Sequence, residues 1–373
     1  MRREAELVRS NRVLFMCDRD LPADIELPDI DIAVVIRQLT GDGVERALAE
    51  ELSRAAGTSL QWFQRVARAA RRPSPQPDWH AAFSNRDVRR AWLMRSWTTA
   101  RSGDTVAFQS LVGKPFEDVA DRLQQAARSA DPIFSNVGPV WSVLSPAEYW
   151  DHVKTQLTEA DLRALERIVQ DILGAVDPAL DLPAEERWLA AIRGKSRAHS
   201  RELRRGLATT LALIGTRGET TPLDSGLIGG PWVTRVLSAL FTRANADENG
   251  QLWASLTDVM PLLAEAAPDV FLQALDIAIA HPGTLMSQLF TDNLGGPLAT
   301  SSPHTGLLWA LEVTAWLPKH YGQSINELAG LAQIDPGGRL SNRPFGTLKD
   351  ILRPGLPRRW SAVRSACQAC TRS

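Results

Sequence analysis

The sequence predicts a mainly α protein: a winged-helix module followed by a helical-repeat-like array, with a small α/β remnant at the N-terminus. Three observations carry this. Apolar residues recur at helical spacing over most of the chain beyond residue 86. Gly, Pro and Asn punctuate blocks of helix length. Between residues 86 and 144, helix-sized segments and then two β-like runs stand in winged-helix order.

Residues 1–59 read as a fragment of an α/β unit, the remnant of an NTPase module. Arg12–Cys17 and Asp31–Leu39 are short apolar runs bounded by polar residues and Pro, as buried strands are. Asp42–Ala56 follows as a helix with acids in its first turn. Two strands and a helix cannot make a stable sheet alone, so this segment is expected to dock on the rest or to belong to a larger domain.

Residues 60–144 are expected to form a basic helical linker and the winged helix. The stretch 60–101 holds nine Arg against two Asp. Three prolines in five residues, at 73, 75 and 77, break helix on both sides. Helices are then predicted over Arg86–Thr99, over Asp104–Leu111 with Gly113 as its stop, and from Pro115 to Arg128. Residues 132–134 and 140–144 form a predicted hairpin around Ser135–Pro139.

Residues 145–373 are predicted to be the helical array. Ser145–Glu148 has the pattern of a capping box, and Thr158 caps a helix whose stripe is Leu162, Leu165, Val169 and Ile172, with Gly174 as its stop. Leu203, Leu207, Leu211 and Ile214 form another stripe, expected to close at Gly215. Helix-sized blocks recur at 232–243, 251–266, 268–280, 304–317 and 323–333. Such spacing suits stacked helix pairs that share a core.

Composition narrows the class. Hydrophobic residues at 44% and charged residues at 23% suit a globular chain, and a net charge of -1 gives no global pull toward nucleic acid. Three cysteines cannot build a disulfide framework, and no apolar run is long enough to span a bilayer, so a cytoplasmic location with no membrane contact is expected. The twelve Trp are expected to fill gaps between helices, each ring nitrogen finding a partner.

No complete catalytic motif emerges, so no enzyme, resident cofactor or metal is expected in this chain. Gly194-Lys195-Ser196 lacks the upstream Gly of a phosphate-binding loop and follows a predicted helix, Glu185–Ile192, not a strand. Cys367 and Cys370 form a lone C-x-x-C without two further zinc ligands. The functional-looking charge feature is a basic contact surface made of Arg65, Arg68, Arg71, Arg72, Arg86, Arg89, Arg90 and Arg95. Beside a winged helix it could meet phosphates, but Glu117, Asp118 and Asp121 on the recognition helix would repel DNA. An intramolecular or protein-facing role is the favoured reading, and nucleic acid is not the expected partner.

The order of a truncated α/β end, a Trp-rich winged helix and a helical array resembles the back half of the STAND signalling ATPases. PALDLPAEERWLAA at 178–191, SPHTGLLWALE at 302–312 and IDPGGRLSNRP at 334–344 are similar to stretches of large bacterial members associated with antiviral defence. The resemblance covers most of residues 86–352 and rests on packing and turn motifs. It implies a lid and sensor portion working by protein–protein recognition, with a protein ligand of phage origin on the array and homo-oligomerisation of the full-length protein. It implies ATP and magnesium for an NTPase part whose Walker A loop this chain lacks. The chain is therefore expected to be a fragment, cut at both ends, the tail after Leu352 being Arg-rich and acid-free. The alternative is a winged-helix DNA-binding transcriptional regulator with a helical ligand-binding domain.

Overall fold

The computed structural model describes residues 82–352, apart from 130–131, 145, 219–225, 227, 282–284, 292, 296–298, 339 and 341. The expected strands and helix of 1–59, the proline-rich linker, Arg65, Arg68, Arg71, Arg72 and the two C-terminal cysteines lie outside the described residues. What is described is mainly helical, with few strands.

Helix α1 spans Arg86–Met94. The Asn85 side chain caps it, accepting from the Asp87 N–H at 2.9 Å. The predicted continuation to Thr99 does not occur. Arg95 takes a φ of +64° and ends the helix, and Ser96–Thr98 becomes strand β1. Helix α2 covers Ser102–Val112 and stops at Gly113, whose φ of +87° is left-handed. The single helix expected from Pro115 divides into a 3-10 turn at Phe116–Asp118 and helix α3 at Ala120–Arg128. Strands β2, Phe134–Val137, and β3, Val140–Val143, form the expected hairpin. Gly138 takes positive φ at the first loop position, where a tight hairpin favours glycine.

The three strands form an antiparallel sheet in the order β1-β3-β2, with Trp97 opposite Trp141 and Phe134 opposite Val143. Trp97 and Trp141 stack with ring centroids 5.9 Å apart, and Phe108, Phe116 and Phe134 pack around them. That aromatic cluster is why Ser96–Thr98 leaves the helix: a strand places Trp97 beside Trp141, buried on one face.

Among the described residues, ten helices follow from Pro146 onward. Helix α4 is Pro146–Val153 and α5 is Glu159–Leu173. The Thr158–Asp161 capping box starts α5 and its predicted apolar stripe is buried. After two 3-10 segments come α6 (Arg201–Arg217), α7 (Gly229–Ala246), α8 (Gln251–Leu256), α9 (Met260–Ala266) and α10 (Pro268–Ala280). A hairpin of β4, Asn293–Gly295, and β5, Ala299–Ser301, precedes α11 (His304–Ala315), α12 (Tyr321–Ile334) and α13 (Pro344–Leu352). Neither this hairpin nor α13 stands out in the sequence. Residues 251–266 hold two helices rather than one, and 184–189 is a 3-10 segment rather than the predicted helix. Gly215 does not close α6, which runs on to Arg217. A Cβ at 215 would lie 2.0 Å from the Ala266 carbonyl oxygen, so this glycine permits close helix packing instead.

Helix α6 lies against α1, β1, α7 and α9. Further along, α7 packs on α10, α9 on α11, α10 on α12, and α11 on α12. Buried polar groups tie these elements together. Arg204, 1% exposed, makes a two-pronged ion pair with Asp258 and donates to the Ile172 and Ser255 carbonyls. The expectation for Trp holds in part. Trp253 donates to Asn245 at 2.8 Å, whereas the ring nitrogens of Trp92, Trp97 and Trp150 are buried without a partner. No helix among the described residues is long and apolar enough to cross a membrane.

Candidate functional site

The four described arginines of the predicted basic surface do not share a surface. Arg86 is exposed, but its Nε lies 3.6 Å from the Asp161 carboxylate. Arg90 is buried and donates to the same carboxylate at 2.6 Å and to the Leu111 carbonyl at 2.9 Å. Burial pushes the Asp161 pKa up, yet hydrogen bonds from Arg90 and Thr158 outweigh it and hold this carboxyl below its ordinary value. Arg89, half-buried, donates to the Phe83 and Ser84 carbonyls and to Gln156. These cations fasten α1 to its neighbours. The intramolecular part of the expectation has a physical basis; an open basic face at 86–95 does not.

Arg95 differs from the other three. It is 4% exposed and turned toward α6, where its Nε donates to Thr210 Oγ1 at 3.2 Å. The guanidinium lies 3.7 Å from the centroid of the Trp92 ring, a cation–π contact. Both terminal nitrogens are buried without a hydrogen-bond partner. Burial lowers its pKa well below the usual arginine range, and no carboxylate offsets that effect. Arg95 is also the one non-glycine residue with positive φ among the described residues. A strained backbone and an uncompensated buried cation on one residue mark a site that the surrounding packing holds in place.

The packing that holds it is specific. Gly206 on α6 faces the chain at Arg95, and a Cβ there would lie 2.2 Å from the Met94 carbonyl oxygen. The Arg95 carbonyl accepts from the Val143 N–H at 2.7 Å, and its own N–H reaches the Trp92 carbonyl. Thr210 donates in turn to the Leu93 carbonyl at 2.7 Å. A pocket of about 620 Å³ adjoins this junction. Arg95, Arg201 and Arg205 line it with the hydroxyl residues Ser96, Ser142 and Thr209, and Glu202 is the one acid of the lining among the described residues. The sequence singled out Arg95 by charge alone and missed Arg201 and Arg205. Its flanks, Trp92-Leu93-Met94 before and Trp97 after, were the signal that it lies in a buried stretch.

Other candidates resolve as structural. Lys195 donates to the Asp181 carboxylate at 2.8 Å, and α6 begins only at Arg201, so Gly194-Lys195-Ser196 does not fit a phosphate-cradling loop opening a helix. That segment therefore does not suit the ATP and magnesium that the resemblance implies for its NTPase part. Among the described residues no group of three or more His, Cys, Asp or Glu could hold a metal ion. His304 is wholly buried, stacked on Phe290 and bonded to Ser302 and the Asn342 carbonyl, which ties the start of α11 to the loop before α13. Glu117, Asp118 and Asp121 are exposed before and on α3, as anticipated. Comparison with protein-family models, with curated proteins and with solved structures finds no match.

Proposed function

We propose that this chain is the lid and sensor portion of a STAND-type signalling ATPase of antiviral defence, cytoplasmic and non-catalytic itself, recognising a protein ligand through its helical array. The observation that carries the reading is the joining of two architectures through α6. On one side, helix–strand–helix–helix–hairpin with sheet order β1-β3-β2 fits a winged helix. On the other, α6 with α7, α9 with α10, and α11 with α12 pack as successive pairs, and each pair touches the next, as stacked helical repeats do. A lid that must report on a sensor needs such a continuous packed connection. ATP, magnesium, oligomerisation and an effector belong to other parts of such a protein.

The second reading, a DNA-binding regulator, draws on the same winged-helix order. The exposed acids at 117, 118 and 121 weigh against it, because a helix entering the major groove must approach phosphates. One experiment separates the two. The immobilised chain is exposed to lysates of phage-infected and uninfected bacteria, and in parallel to mixed genomic DNA at two salt concentrations. The sensor reading expects one protein captured from infected cells only, reconstituting as a stoichiometric complex, with no sequence-dependent DNA retention. Tight, sequence-dependent retention of DNA would establish the regulator instead.

A further inference from the structure

We propose that the pocket between β1, β3 and the N-terminal half of α6 is a binding site for a small oxyanion, phosphate or carboxylate, with Arg95 as its principal ligand. The inference is independent of the sensor and regulator readings. Its basis is an electrostatic imbalance. A guanidinium taken out of water without an anionic partner is among the costliest arrangements a fold can hold. Arg204, equally buried, shows how this protein normally resolves it: a bidentate carboxylate from Asp258 and two carbonyls. Arg90 has Asp161. Arg95 has one hydroxyl and one aromatic face, and its two terminal nitrogens have nothing.

The chemistry of the unmet need is specific. The terminal nitrogens of a guanidinium form a planar fork that matches two oxygens of a carboxylate or phosphate. The Trp92 ring lies against the guanidinium and Thr210 accepts from its Nε, which leaves the two terminal nitrogens for the ligand. The pocket supplies further complementarity. Arg201 and Arg205 add positive charge, the Ser142 hydroxyl is a donor, and the first turn of α6 brings the positive end of a seventeen-residue helix, while the Ser96 and Thr209 hydroxyls donate to the Trp141 and Arg205 carbonyls. The terminal nitrogens are sealed from bulk water, so binding requires a small opening of the junction between β1 and α6. The recovered charge neutralisation would drive it.

The test is calorimetric titration and thermal unfolding of the whole chain with inorganic phosphate, and separately acetate, against chloride at matched ionic strength. The wild type is expected to show one saturable site and a rise in Tm that levels off, whichever of the two anions is preferred. Arg95→Met is expected to lose at least about tenfold in affinity and, in chloride alone, to raise the urea midpoint, because it removes an unpaired buried charge. Arg201→Gln alters an exposed residue, so it reports even if Arg95→Met fails to fold. It is expected to weaken binding by about threefold through lost attraction alone. Three outcomes would overturn the proposal. They are a non-saturating rise shared by wild type and variants, as general salting-out gives; unchanged binding in either variant; or Arg95→Met less stable than wild type by the same amount in every buffer, the mark of a purely structural strut.

Discussion

Glu327, on α12, is 4% exposed, and among the described residues no cation offsets its charge. Burial pushes its pKa up, the neighbouring Asp276 of α10 pushes further, and a hydrogen bond from Gln323 only partly opposes them, leaving the group at about 7 against an ordinary 4.5. The folded chain therefore holds this proton between pH 4.5 and 7 while the unfolded chain releases it. Stability from this group is complete below 4.5 and is lost as pH rises toward 7, by on the order of 3 kcal/mol in all. Glu327→Gln is expected to match the wild type in urea midpoint near pH 4.5 and to exceed it near pH 8. Equal midpoints at pH 8 would show that the carboxylate finds a compensating partner on ionising. Asp161 and Asp258 act in the opposite sense. Hydrogen bonds from their arginines outweigh burial and hold their pKa values low, so their contribution is present above the unfolded value and falls away in acid. The roles of Glu327 and Arg90 are not legible locally, because the groups that set them lie on other elements, and for Arg95 the apolar flanks indicate burial without indicating what it faces.

At the scale of one element, α6 is unusual in carrying two internal glycines that face backbone. A Cβ at Gly206 would meet the Met94 carbonyl at 2.2 Å, and at Gly215 the Ala266 carbonyl at 2.0 Å. Alanine is the better helix former by about 1 kcal/mol, but forcing a methyl group against rigid backbone costs about 1–3 kcal/mol. Gly206→Ala and Gly215→Ala are therefore expected to lower stability. Gly322→Ala, in α12 with nothing within 4 Å of the added carbon, should raise it by a few tenths to about 1 kcal/mol. Chemical denaturation of the three variants checks the ordering; a gain at 206 or 215 would mean that α6 can slide from its neighbours. The helices themselves were largely legible. The Thr158 cap, the Leu162–Ile172 stripe and the helix-sized block at 268–280 depend on local spacing, and each stands as read. Gly215 and the end of α1 were not, since both are decided by partners far along the chain. Nothing within Arg86–Thr99 announces that Ser96 will pair with Ser142.

At the scale of the molecule, α6 belongs to two architectures at once, and Asp104 is the buried joint between them. The Asp104 carboxylate, wholly buried, accepts from the Thr98 N–H at 2.9 Å, the Ser200 N–H at 2.8 Å and the Ser200 hydroxyl. One side chain thus secures the end of β1 and the N-cap of α6, 96 residues away in sequence. A separation of that size hides the contact from any motif reading, which is why the sequence divided this region at residue 145 without showing what crosses the boundary. The Arg95–Thr210 bond and the close approach at Gly206 reinforce the same seam. If the seam is as strong as this packing implies, the two parts unfold together. Fluorescence of a dye attached at Val137→Cys on the exposed β2–β3 hairpin, with the three native cysteines replaced, and far-ultraviolet circular dichroism, weighted toward the helices beyond Pro146, should then give coincident denaturation curves. Asp104→Ala would leave buried donors without acceptors and is expected to cost about 3 kcal/mol. The two curves should shift together to lower denaturant. Loss of the fluorescence transition with most of the helical signal surviving would mean that the array folds alone and that the seam transmits little. In a protein proposed to relay recognition from one end to the other, that joint is where the relay would fail first.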